Sequence, residues 1–363
     1  MNNYKIILTI GLCTSLIISC KKKATDPITE AKNYSVPTTY EDFDNVDYSG
    51  QTIRLDMLKE LTDTMKKGNT IGVRVSATRL KNMYANTGNP FGNNTLNTSG
   101  KKMKDKTFPA DQAMFESYMD SIAMVSMSNT AGSNGVPGVV GTGSTKYLCN
   151  KDGIEYTQLI EKGLLGAMIY YQITSVYLSE DKIGPQVSKA DRQHHWDEAF
   201  GYFGVPKDFP SNTSGIRFIG KYCNDRNPLL GCNEKIMNAY LKGRAAINND
   251  DDVTRRAQVA IIRDELERVI AATALQYLNK AKANITDNAV RNHALSEYLA
   301  FLRALKYNPT RKITDAQISE IENYVGYNFY NVTTSGLDNA RNKLSSIYGF
   351  DNIKDQLRVD ITD

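Results

Sequence analysis

The sequence predicts an all-α fold, a bundle of roughly ten helices. Three observations predict it. Apolar residues recur three and four positions apart through most of the chain. Alternation with a period of two is hard to find. The periodic segments begin at Ser and Thr and stop at Gly or Asn-Pro, as helices do. The chain has 363 residues, 41% of them hydrophobic and 23% charged, which suits a folded core and excludes a disordered chain.

The N-terminus comes first. Lys5 precedes an apolar stretch, residues 6–18, that is too short to span a bilayer and fits a signal peptide. Residues 1–19 are assigned to that signal and 20–45, polar and without helical period, to a flexible tether. Residues 46–204 form an N-terminal helical half. Its first helix, 53–67, gathers Leu55, Leu58, Leu61 and Met65 on one side and stops at Gly68. Ser76 caps a helix over 76–86 that buries Leu80, Met83 and Tyr84. Residues 87–106 read as a polar excursion, and Pro109 opens the next helix. Residues 129–146 hold five glycines and read as the longest loop. A long helix follows over 151–180, with Glu155, Gln158 and Lys162 sharing a face. Ser188 caps a helix over 190–202 that ends at Gly204 and Pro206.

Residues 205–231, punctuated by Pro and Gly, read as a connecting loop between two bundle halves. The C-terminal half, 232–363, is more regular. Helices are expected over 233–248 and 253–282, the latter apolar on so many sides that it belongs at the centre. Thr286 is expected to cap a helix that stops at Asn308-Pro309, Thr314 to cap another, and 336–348 to close the fold. No repeat at a fixed period points to a solenoid.

Composition narrows the chemistry. A net charge of +4 is too small for a nucleic-acid partner. There are three histidines and one tryptophan. His194, His195 and Trp196 are consecutive, and Glu198 lies one helical turn on from both histidines. His293 and Glu297 repeat the spacing of a single turn. Bundle metal sites present ligands inward in this way, so His195, Glu198, His293 and Glu297 are the expected ligands of a divalent ion, iron or zinc. His194, Trp196, Glu155 and Arg244 are the expected ligand-binding neighbours. The competing reading makes these residues surface pairs and aromatic core anchors. Arg263, Asp264, Glu265, Glu267 and Arg268 are better read as ion pairs between helices. The His-Glu-x-x-His zinc-protease motif, the phosphate loop and the nucleophile elbow are absent. Cys223 and Cys232 can close a short loop as a disulfide, leaving Cys149 buried. The 21 tyrosines read mainly as packing residues.

Ile17-Ile18-Ser19-Cys20 resembles a bacterial lipobox. The resemblance implies cleavage before Cys20 and a lipid anchor on it, hence an outer-membrane lipoprotein, with the periplasmic and surface faces both open. The runs at 153–167, 194–204 and 293–297 resemble a Bacteroidetes lipoprotein family known as a domain of unknown function. More distantly the chain is similar to imelysin-like proteins, helical envelope proteins linked to iron or haem uptake. His195-x-x-Glu198 matches the end of their Gly-x-His-x-x-Glu motif, and Gln193 stands where that motif has Gly. This resemblance implies a non-enzymatic, lipid-anchored protein that binds a metal or metal-bearing ligand and works with an outer-membrane transporter. Two alternatives stand beside it: a metal-assisted hydrolase using Glu198 or Glu297 as base, and a carbohydrate-binding lipoprotein of an outer-membrane importer.

Overall fold

The structure is a computed structural model and describes residues 32–358. The expected signal peptide, Cys20 and the lysines at 21–23 lie outside the described residues. Among those described, thirteen α-helices and one two-stranded sheet build the fold, so the all-α expectation holds. No helix among them is long and apolar enough to cross a membrane.

The described part of the expected tether, from residue 32, is held against the bundle. Lys32 donates to the carbonyls of Asn249 and Asp250, and the Tyr34 hydroxyl to Asp251 at 3.0 Å. Tyr40 is fully buried, stacked on Phe200 at 3.8 Å. Aromatic burial draws this polar segment into the fold.

α1 (Ser49–Lys66), α2 (Ala77–Ala85), α3 (Asn94–Thr98) and α4 (Gln112–Val125) follow. Ser76 caps α2 as expected, accepting from the Arg79 amide. The short α3 falls inside the segment read as an excursion.

The glycine-rich segment is not a structureless loop. β1 (Gly138–Thr142) and β2 (Thr145–Cys149) pair antiparallel as a hairpin. Its five glycines hid the strand pattern. Gly141 is needed here, since its φ is +98° and a Cβ would lie 2.1 Å from the Thr145 carbonyl oxygen. The hairpin packs on the later helix α11 and is held at Leu148, whose amide donates to Asn69.

The long helix expected at 151–180 is α5 (Tyr156–Leu164) continued by two π-helical stretches, Leu165–Tyr170 and Gln172–Tyr177. α6 (Glu180–Ile183) is short. α7 (Lys189–Phe203) starts at the Ser188 cap and ends at Gly204 in left-handed backbone.

Half of the expected connecting loop is helical: α8 (Ile219–Leu230) includes Pro228 and buries Ile219, Tyr222, Cys223 and Leu230. Then come α9 (Cys232–Asn248), α10 (Asp252–Ala283), α11 (Asn288–Ala304), α12 (Asp315–Val325) and α13 (Thr334–Tyr348). Asp287 caps α11 rather than Thr286, because its carboxylate reaches the amides of Ala289 and Val290. Thr314 and Gln317 form a reciprocal capping box on α12.

α10 is central, packed by α8, α9, α11 and α13. The chain on the two sides of 205–231 does not separate into halves. α5 packs on α11 and α7 on α9, and the described residues form one compact unit.

Candidate functional site: two histidine environments

The expected site residues fall into two arrangements held by separate neighbours. The first is on α7, near the surface. His195 Nδ1 lies 3.1 Å from Glu198 Oε2, and His194 Nε2 lies 3.8 Å from the same oxygen. The other oxygen, Oε1, accepts from Gln51 Nε2 at 2.8 Å and from the Tyr177 hydroxyl at 3.0 Å. Lys106 Nζ donates to that hydroxyl at 2.9 Å. Each side chain arrives from a different element. Gln51 is on the first turn of α1, Tyr177 ends the π-helical stretch, and Gln172 of the same stretch holds the Lys106 carbonyl at 2.9 Å. Widened helical turns of this kind recur at functional sites.

The electrostatics of this cluster are perturbed. Burial alone would raise the Glu198 carboxyl, but hydrogen bonds from His195, Gln51 and Tyr177 outweigh it and hold the group below its ordinary range. Burial, then the fields of Arg54, Lys182 and Lys101, push the Lys106 ammonium down against the pull of Glu198. With Glu198 accepting at Nδ1, His195 carries its hydrogen there. Nε2 is then a lone-pair donor that makes no hydrogen bond among the described residues. The side chain is 20% exposed, so solvent reaches the ring.

The second arrangement is in the core. His293 Nδ1 is 2.6 Å from Glu155 Oε2, and Nε2 is 3.3 Å from Glu297 Oε2. Lys162 pairs with Glu161 at 3.0 Å and approaches Glu297 at 3.7 Å. Tyr147 of the hairpin stacks on the His293 ring at 4.0 Å, so the unanticipated hairpin covers this histidine. Both ring nitrogens lie against carboxylates in the core, Nδ1 within hydrogen-bonding distance of Glu155 and Nε2 close to Glu297. Glu297 is 1% exposed, so substrate in solvent does not reach it as a base. Cys149 lies beside this cluster, its thiol pushed up by burial and by Glu155.

His195 with Glu198 and His293 with Glu297 are therefore two sites. Among the described residues no group of three or more His, Cys, Asp or Glu side chains is arranged to hold a metal ion.

Three other expected contacts prove to be internal. Trp196 is fully buried and donates to the Tyr240 carbonyl at 3.0 Å. It fits because residue 243 is glycine, where a Cβ would lie 2.0 Å from the indole. Arg244 is sealed against Asp197, Nε to Oδ1 at 2.9 Å, and Tyr40 donates to the same carboxylate at 2.6 Å. Burial raises the Asp197 pKa, against the pull of Arg244 and Tyr40. Glu155, as above, belongs to the His293 cluster. Cys223 and Cys232 are buried free thiols with sulfurs 3.5 Å apart. The charged stretch of α10 is structural, but only part of it forms the expected ion pairs. Asp264 pairs with Lys312 at 2.6 Å and Glu265 with Lys235 of α9 at 3.3 Å, while Arg268 pairs with Glu265 within the helix. Glu267 instead accepts from Asn308, Tyr348 and the Lys312 amide, and Arg263 donates to two carbonyls, Thr174 and Leu178.

Gln51, Lys106 and Tyr177 were not singled out by sequence. They lie on three separate elements and share no spacing with the His-x-x-Glu pair. No curated protein and no solved structure matches the chain. One family model matches residues 39–351, from the buried Tyr40 turn to the end of the last helix and through both histidine arrangements. A match over that much of the chain places it in the DUF4856 family, a domain of unknown function.

Proposed function

We propose that this protein is a non-enzymatic, lipid-anchored envelope protein that binds an anionic metal chelate at the surface of α7. The observation that carries this reading is the His195–Glu198 pair. A carboxylate that takes the Nδ1 hydrogen orients an imidazole for coordination through Nε2. The setting favours a chelate over a bare ion. Arg54, Lys101, Lys106 and Lys182 lie close enough to interact electrostatically around Glu198 and Lys106, which repels a free divalent cation and attracts carboxylates. Iron uptake, with transfer to an outer-membrane transporter, is the process this chemistry suits. The lipid on Cys20 would keep the carrier at the membrane.

The test is a titration with ferric protoporphyrin, which offers an open axial position and two carboxylates. Wild-type protein is expected to bind it with a shift of the Soret band. His195→Ala removes the shift. Lys106→Ala keeps the shift and weakens binding roughly tenfold, the loss of one charge contact. Unchanged binding and spectrum in His195→Ala would overturn the reading.

A further inference from the structure

One cleft shares no lining residue with either histidine arrangement. α4, α5, α11 and α12 enclose this open cleft of about 410 Å³, within the size range of small-molecule sites. Its walls are apolar and aromatic, chiefly Phe115, Tyr118, Leu159, Tyr307 and Ile318. A groove of about 260 Å³ adjoins it, sharing Lys306, Tyr307 and Asp315 and adding Phe108 and Tyr171. Phe108, Tyr118 and Tyr171 stay partly exposed, so ring faces and edges remain available to a ligand.

The charges along the cleft are already balanced. Arg303 binds Glu322 through two parallel bonds of 2.8 Å. Lys306 pairs with Asp111 at 2.8 Å, and Arg311 with Asp315 at 2.9 Å. An ionic ligand would find no uncompensated charge among these pairs. A neutral ligand rich in hydroxyls needs none. Arg303 also donates to the Tyr118 hydroxyl at 3.3 Å, yet guanidinium carries five N–H donors and these contacts use three. Tyr118 keeps its own hydrogen to donate. Beside them, Glu322 accepts from Tyr327 at 2.8 Å and presents further lone pairs. A planar pair with donors and acceptors side by side, set against aromatic rings, matches adjacent hydroxyls on a ring with an apolar C–H face.

We infer that the cleft between α4, α5, α11 and α12 binds a neutral saccharide, with Arg303 and Glu322 on its hydroxyls and Tyr118 and Tyr307 against its ring. This site is independent of His195, and either can fail alone.

The test uses the whole purified protein with maltose, cellobiose and diacetylchitobiose as probes, followed by saturation-transfer NMR and calorimetry. At least one disaccharide is expected to bind, with an affinity that does not change between low and high salt. Arg303→Met is expected to weaken it tenfold or more. Ser319→Trp obstructs the exposed mouth of the cleft without entering the core, and is expected to abolish binding at an unchanged melting temperature. His195→Ala is expected to bind as wild type. Absence of binding to all three sugars would overturn the inference, as would binding that survives Ser319→Trp.

Discussion

Glu198 and Asp197 are neighbours in sequence and opposite in environment, and each predicts a different response to substitution. Glu198 is held ionised by three donors, and its pKa lies below the 4.5 of a free glutamate. A depressed carboxyl contributes stability that is complete above the unfolded pKa and is lost as pH falls through the folded one. Acid unfolding of wild type should therefore steepen as pH falls through about 4.5, where the unfolded glutamate is half protonated. Glu198→Gln should be flatter there when melting temperature is followed against pH. Asp197 is fully buried against Arg244. Asp197→Ala strands that guanidinium and should cost about 3–5 kcal/mol in denaturant unfolding. Trp196 depends on a missing side chain, so Gly243→Ala should cost about 3 kcal/mol, the upper end of overpacking. The pairing of His195 with Glu198 was legible from their spacing. A core role for Trp196 was one of the two readings the sequence offered, but the burial of Arg244 was not legible, since it depends on the Asp197 that α7 places opposite α9.

At the scale of elements, caps and stops carried most of the information. Ser188, Gly204 and Thr314 mark boundaries in the sequence and in the structure because their side chains or left-handed backbone act locally. The hairpin and α8 were hidden for the opposite reason. Their glycines and prolines weaken local pattern, and tertiary packing supplies what the pattern lacks. The π-helical stretch after α5 also has a tertiary cause. Arg263 of α10 donates to the carbonyls of Thr174 and Leu178 at 2.9 Å each, taking acceptors that the widened turns leave to side chains. Arg263→Ala should cost about 2 kcal/mol, a charged hydrogen bond's worth, and should speed amide exchange over 174–180 more than elsewhere. Uniform exchange across the bundle would contradict this role.

For the whole molecule, the all-α class was legible because period-3.6 patterning is a local property. The packing order was not. Helices from both sides of residues 205–231 pack on one another, α5 on α11 and α7 on α9, whereas sequence order suggested two halves. One compact unit should unfold in one calorimetric transition, and two resolved transitions would restore the two halves. The same packing separates the histidines into a solvent-reached donor on α7 and a core histidine clamped between two carboxylates under the hairpin. That separation is the central claim, and nitrogen NMR of the three imidazole rings tests it most directly. On addition of gallium(III) protoporphyrin, a diamagnetic counterpart of the ferric probe, the Nε2 resonance of His195 should move while both nitrogens of His293 stay in place. A shift at His293, or none at His195, would contradict the account.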